Sequence, residues 1–119
     1  MKFLNGWTKK SVIKRIEEKF KGKALDKNRN LCLYKTEDGK KCAVGLFIAD
    51  TDEANNFQGS VSTLINAYPH LKKTMPFDLE TLDVLQMAHD RGESECAYND
   101  HRTDEEVLMD LISFIESEA

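Results

Sequence analysis

The chain has 119 residues, of which 40% are hydrophobic and 32% charged, and its formal net charge is −4. These values are typical of one compact domain over residues 1–119, long enough to bury an apolar core without disulfides or a structural metal. They exclude a disordered or low-complexity chain.

The lengths of the apolar runs and the cysteine spacing also argue against a membrane protein and a secreted protein. No run approaches the roughly 18 to 20 apolar residues that a bilayer-spanning helix needs, and the N-terminal apolar run is too short for a signal peptide. Cys32, Cys42 and Cys96 are odd in number and lack C-x-x-C spacing, which suits reduced thiols better than a disulfide framework. We therefore predict a cytoplasmic protein.

Charge is distributed unevenly along the sequence. Residues 1–41 contain thirteen Lys/Arg and five Asp/Glu, a net charge of +8, whereas residues 42–119 contain four and sixteen, a net charge of −12. Such a chain can present a charged face to a partner, or the fold can interleave the two halves.

The first predicted element is a helix that begins after Thr8 as N-cap and ends at Gly22. Val12, Ile13, Ile16 and Phe20 form its apolar stripe. Its other face is mostly basic, which makes nucleic-acid binding an alternative function.

A β-hairpin is predicted next, with strands over residues 31–36 and 41–49. Asp38 and Gly39 between them are typical of a type I′ turn. The second strand is apolar on both faces, so we expect it to lie inside the fold. Gly45 at its centre predicts a bulge or the close approach of another backbone.

Three helices follow in the prediction. One spans residues 59–68 and is stopped by Pro69, one begins after Asp78 and ends near Gly92, and one begins at the capping box formed by residues 103–106. The order α-β-β-α-α-α predicts an α+β fold, in which a small antiparallel sheet packs against about four helices.

Three segments carry a family resemblance: residues 39–50 (GKKCAVGLFIAD), 59–61 (GSV) and 85–90 (LQMAHD). Together they resemble a group of small uncharacterised bacteriophage and bacterial proteins, which have a Gly-x-x-Cys-Ala-Val-Gly strand and a later Leu-Gln-x-x-His-Asp. The resemblance implies a phage or mobile-element origin and a small protein that binds a host factor. A phage-encoded protein of this kind is expected in the host cytoplasm. It implies no particular activity.

Cys42, His89 and Asp90 are the candidate catalytic residues. A nucleophilic thiol needs a nearby base, and that base needs an orienting group, so these three would suit a hydrolase or transferase if they met in space. A buried structural thiol and a histidine bonded to a backbone carbonyl explain the same residues. An enzyme is therefore the alternative here rather than the leading hypothesis.

Metal and nucleotide sites have weaker support. His89, Cys96 and His101, with Asp90 or Asp100, match no standard zinc spacing, and the chain has no phosphate-loop motif. We therefore predict no metal and no cofactor.

The leading hypothesis is a binding protein that docks on, and can inhibit, a host macromolecule. A host or phage protein is the expected partner, nucleic acid is the less favoured one, and no membrane is involved. Asp50, Asp52 and Glu53 in the acidic connection, with Tyr98 in a later loop, are the predicted partner-binding residues, since the core does not need them.

Overall fold

The computed structural model describes residues 2–22, 25–26, 31–32, 34–36, 39–89 and 102–118. Its main elements are α1 (Lys9–Lys19), β1 (Leu25–Asp26), β2 (Leu31–Cys32), α2 (Val61–Ala67), α3 (Leu79–His89) and α4 (Asp104–Glu118). Three short 3₁₀ helices cover Gly45–Phe47, Glu53–Asn56 and Pro69–Lys73.

The helix N-termini form where the capping residues predict them. Thr8 and Ser11 bond reciprocally at the start of α1, and Thr103 and Glu106 do the same at the start of α4. Asp78 Oδ1 accepts from the Thr81 amide, 2.9 Å away, at the start of α3. These bonds satisfy amides that have no partner within the helix, so the predicted caps are confirmed.

Helix α4 joins the N-terminal and central parts of the molecule, because α1 and α3 both pack against it. Its apolar positions recur three or four residues apart, which places them on one buried face. The apolar α-helical core residues that are at most 1% exposed are Val12 and Ile16 of α1, Leu64 of α2, Leu82 and Leu85 of α3, and Val107, Leu111 and Ile115 of α4. Within the described residues, no helix has the length and apolar character needed to cross a membrane.

The predicted α+β fold with a hairpin is wrong: the described chain is mostly helical. Its one ladder pairs β1 with β2 over two residues each. The predicted turn, centred on Asp38 and Gly39, falls partly outside the described residues, and the bond that the Gly39 amide donates to Thr36 O at 3.0 Å is not the one that would close it. Pairing between the described residues 34–36 and 41–49 is confined to a single bridge between Lys35 and Lys41.

Residues 41–48 form a buried, irregular segment instead of the second strand. Every residue in it is buried, and a 3₁₀ helix occupies its centre. The prediction that this stretch lies inside the fold is therefore confirmed, while its strand conformation is wrong. An apolar run of this length fits a buried strand and a buried turn equally well, so its pattern alone does not fix the conformation.

Gly45 confirms the predicted close approach of another backbone. A Cβ atom built on it would lie 2.1 Å from the carbonyl oxygen of Tyr34. Either the 34–36 segment or the 3₁₀ helix would have to move to admit a side chain.

We expect Gly45→Ala to lower the free energy of unfolding by about 3 kcal/mol, since the added methyl group overpacks against rigid backbone. Gly6→Ala is the control: its φ of 80° disfavours alanine, but no atom lies within 4 Å of the new Cβ. That control should cost about 1 kcal/mol. Urea denaturation measures both, and equal losses would contradict the close contact at Gly45.

Candidate functional site

The N-terminal segment begins with a tight turn over residues 4–7. Asn5 and Gly6 have positive φ angles of 55° and 80°, and the Trp7 amide donates to Leu4 O at 3.0 Å. Positive φ at both central positions defines a type I′ turn, for which Asn-Gly is the preferred pair. The sequence carried this signal, but the prediction did not use it.

Side chains of this turn fix it to the segment between α2 and α3. Asn5 Nδ2 donates to Lys72 O at 2.9 Å and to Met75 O at 2.7 Å. Trp7 Nε1 donates to Thr74 O at 2.8 Å. The turn therefore forms a wall beside residues 72–77.

An apolar groove lies between this wall, α2 and α3. Its volume is about 260 Å³. Ile65, Met75 and Leu82 form a buried floor, and Leu79 stands at the edge with 41% of its surface exposed. Residues three or four apart on α2 and on α3 reach the same groove because they share a helix face. The lining residues are Leu4, Ser62, Ile65, Asn66, Lys72, Met75, Phe77, Asp78, Leu79 and Leu82.

Polar and charged groups surround the apolar floor. Hydrogen bonds from the backbone and the side chain of Thr81 lower the pKa of Asp78, so its carboxylate is charged at neutral pH. Lys72 contributes an exposed side chain of opposite charge. An apolar floor with a mixed polar rim is the usual arrangement of a protein-binding hot spot.

Asp50, one of the predicted partner-binding residues, forms an ion pair with Lys41 while its own side chain stays 56% exposed. Its Oδ1 lies 2.7 Å from Nζ of Lys41, whose side chain is only 4% exposed. The same ammonium donates to Ile48 O at 2.7 Å. The hydrogen bond and positive charge of Lys41 lower the pKa of Asp50.

Asp52 is likewise engaged within the fold. Its Oδ1 accepts from the Ala54 amide at 2.9 Å, and its Oδ2 lies 2.6 Å from His70 Nε2. Burial alone would raise the pKa of Asp52, but these two contacts outweigh burial and lower it. Glu53 is exposed, and Tyr98 lies outside the described residues. The binding role of all four residues, Asp50, Asp52, Glu53 and Tyr98, stays a prediction.

The candidate catalytic residues do not offer an accessible nucleophile. Cys42 is 2% exposed, and its Sγ accepts from the Gly45 amide at 3.4 Å. His89, at the end of α3, is fully buried, with its ring 6.5 Å from that of Phe20. Asp90 lies outside the described residues. The structure therefore gives the enzymatic hypothesis no support at Cys42.

The metal alternative falls mostly on residues that the structure does not describe: Asp90, Cys96, Asp100 and His101. Among the residues that it does describe, no group of three or more His, Cys, Asp or Glu side chains is placed to hold a metal ion.

The basic face of α1 is partly used in packing. Arg15 Nε donates to Leu46 O at 2.9 Å, and its guanidinium lies 5.8 Å from the Trp7 ring centroid. Lys9 Nζ donates to Glu116 O at 3.1 Å, near the end of α4. Basic α1 thus lies beside acidic α4, which interleaves the two charged halves of the sequence.

Sequence reasoning also missed Arg102, which joins α3 to α4. Its guanidinium donates to Ala88 O and His89 O at 3.0 and 2.7 Å, and to Asp110 Oδ2 at 2.8 Å. A cation at these carbonyls stabilises the C-terminus of α3. No local sequence signal identifies a residue thirteen positions downstream as this cap.

Comparison of the chain with protein-family models, with curated proteins and with solved structures gives no significant match. The resemblance to small phage and bacterial proteins therefore stays a prediction.

We expect Asp50→Asn to lower the free energy of unfolding at neutral pH, because it leaves the buried Lys41 ammonium without its counter-charge. The loss should be about 1–2 kcal/mol, less than for a fully buried pair, since solvent screens Asp50. Glu53→Gln removes the same charge from an exposed position and should change little.

The Asp50 effect should depend on pH. A carboxyl group whose pKa is lowered by folding stabilises the native state above its ordinary pKa of 3.8 and loses that contribution as the pH falls below it. The advantage of the wild type over Asp50→Asn in urea denaturation should therefore be constant above pH 3.8 and decline as the pH falls from 3.8 through the lower pKa of the folded state. An advantage that does not decline as the pH is lowered would contradict the ion pair.

We expect native Cys42 to resist alkylation by iodoacetamide, because the reagent cannot reach a buried thiol. After unfolding in urea, Cys42 should react. Peptide mass mapping distinguishes it from Cys32 and Cys96. Rapid native labelling of Cys42 would contradict its burial and restore the nucleophile hypothesis.

Proposed function

We propose that this protein is a cytoplasmic binding protein that docks on a partner protein through the apolar groove. The observation that carries the proposal is the groove itself, with a buried apolar floor, an exposed Leu79 and a charged rim. A buried apolar floor next to a partly exposed leucine gives a partner side chain an apolar surface to cover.

The open shape of the groove favours a protein segment as its occupant. The groove measures about 260 Å³ and is open to solvent, whereas small-molecule pockets bury most of the surface of their ligand. It suits one or two apolar side chains projecting from a partner. Lys72 and Asp78 on the rim can fix the orientation of that segment by pairing with its polar groups.

The proposed partner and cellular compartment follow from the sequence-based expectations. The resemblance to phage proteins favours a host protein as partner, and the cysteine pattern favours the cytoplasm. The burial of Cys42 argues against the hydrolase or transferase alternative. The proposal therefore moves the main contact surface from the acidic connection to the groove, with exposed Glu53 as a secondary contact.

Leu79→Lys is the variant that tests the groove. Leu79 is 41% exposed, so a lysine there can reach solvent without disturbing the core. Its charge makes the groove unfavourable for an apolar side chain of the partner. Val84→Lys is the matched control, because Val84 is 43% exposed on the same helix and does not line the groove. Circular dichroism would first establish that both variants fold.

The measurement is capture from host lysate on the immobilised protein, followed by the affinity of the captured partner for each variant. We expect the wild type and Val84→Lys to retain one partner with similar affinity, and Leu79→Lys to bind it about 30-fold more weakly. Equal binding by all three proteins, or capture of nothing by the wild type, would contradict the proposal.

A further inference from the structure

A second pocket, lined mainly by lysines, lies at the C-terminal end of α1. It has a volume of about 290 Å³ and is polar, in contrast to the groove. Its lining residues are Glu18, Lys19, Lys21, Lys35, Gly39, Lys41 and Asp50.

Lys41 and Asp50 form the base of this pocket. The Lys41 side chain is 96% buried, since only 4% of its surface is exposed, and its ammonium is held by Asp50 Oδ1 and Ile48 O, each at 2.7 Å. Lys35 Nζ donates to the backbone oxygen of Asp50 at 3.1 Å. The base is thus built from a neutralised pair, and Lys35 is fixed next to it.

The remaining two lysines that line the pocket are Lys19 and Lys21, at and just after the end of α1. Lys19 Nζ lies 3.8 Å from Asp50 Oδ2, beyond hydrogen-bond distance, so it is attracted to the carboxylate but keeps its donors. Lys21 Nζ lies 3.8 Å from the position that a Cβ atom would take on Gly39. The Lys21 ammonium therefore lies beside Gly39, at ordinary contact distance.

The lining residues carry a surplus of positive charge. Among the lining residues that the structure describes, four lysines face two carboxylates, Asp50 and Glu18, which gives these residues a net charge of +2. Glu18 also pairs with Lys14, which does not line the pocket: Nζ of Lys14 lies 3.9 Å from Oε1 of Glu18. Gathering lysines in this way is unfavourable in free protein, and an anion in the pocket relieves the repulsion.

We propose that this pocket binds a phosphate dianion, either free or as a phosphate monoester. The charge of such a group matches the surplus, and its several oxygens can accept from ammoniums that approach from different directions. A singly charged carboxylate matches neither feature. The pocket shares no lining residue with the groove, so a negative result for phosphate binding would leave the proposed function untouched.

Isothermal titration calorimetry at constant ionic strength tests the site, with inorganic phosphate and O-phosphoserine as probes and acetate as the carboxylate probe. Lys21→Gln/Lys35→Gln removes two pocket ammoniums without touching the buried Lys41. The matched control is Lys2→Gln/Lys10→Gln, which removes the same charge from two exposed positions outside the pocket. Urea denaturation of both variants verifies that they are folded.

We expect saturable phosphate binding by the wild type and the control, weakened about tenfold or more in Lys21→Gln/Lys35→Gln. Binding of phosphoserine as well as phosphate would assign the site to monoesters, and binding of phosphate alone would assign it to the free ion. Absence of saturable binding, equal binding of acetate, or equal weakening in both variants would overturn the proposal. A single-stranded oligonucleotide serves as a fourth probe, and binding confined to it would also overturn the proposal, because it would indicate a nucleic-acid surface instead.

Discussion

The structure depends on one constraint: residues 41–48 are buried without forming a regular strand. Backbone amides and carbonyls in such a segment lose water, and a strand ladder is not there to replace it. Polar side chains, from the surroundings and from Lys41 of the segment itself, supply partners to this backbone. The contacts are Arg15 Nε to Leu46 O, Lys41 Nζ to Ile48 O, Gln86 Oε1 from the Val44 amide, and, just beyond the segment, Asn55 Nδ2 to Ala49 O.

This arrangement determines where the charged residues lie. Because the Lys41 ammonium turns inward to bond Ile48 O, it requires a counter-charge at the protein surface, and Asp50 provides it. The pair forms the base of the lysine pocket. On another side of the molecule, the Asn5-Gly6 turn is fixed to residues 72–77 and completes the apolar groove. Two chemically different surfaces are therefore built from side chains that also hold irregular backbone in place.

Local signals were sufficient for the helices and their caps, since Thr8, Asp78 and Thr103 act through neighbouring residues. They failed at residues 41–49, where an apolar run only indicates burial and tertiary contacts decide the conformation. The acidic residues 50 and 52 looked free because their partners, Lys41 and His70, are fixed by the fold. The groove was missed because its three walls come from distant parts of the chain.

Nuclear magnetic resonance of residues 41–49 tests the central claim most directly. The buried 3₁₀ helix predicts helix-like Cα chemical shifts and sequential amide–amide contacts over residues 44–47. Because these amides are buried, they should exchange slowly with solvent. Uniform strand-like shifts over residues 41–49, with cross-strand contacts to residues 31–36, would contradict the central claim. That result would restore the hairpin and remove the basis for the Lys41–Asp50 pocket.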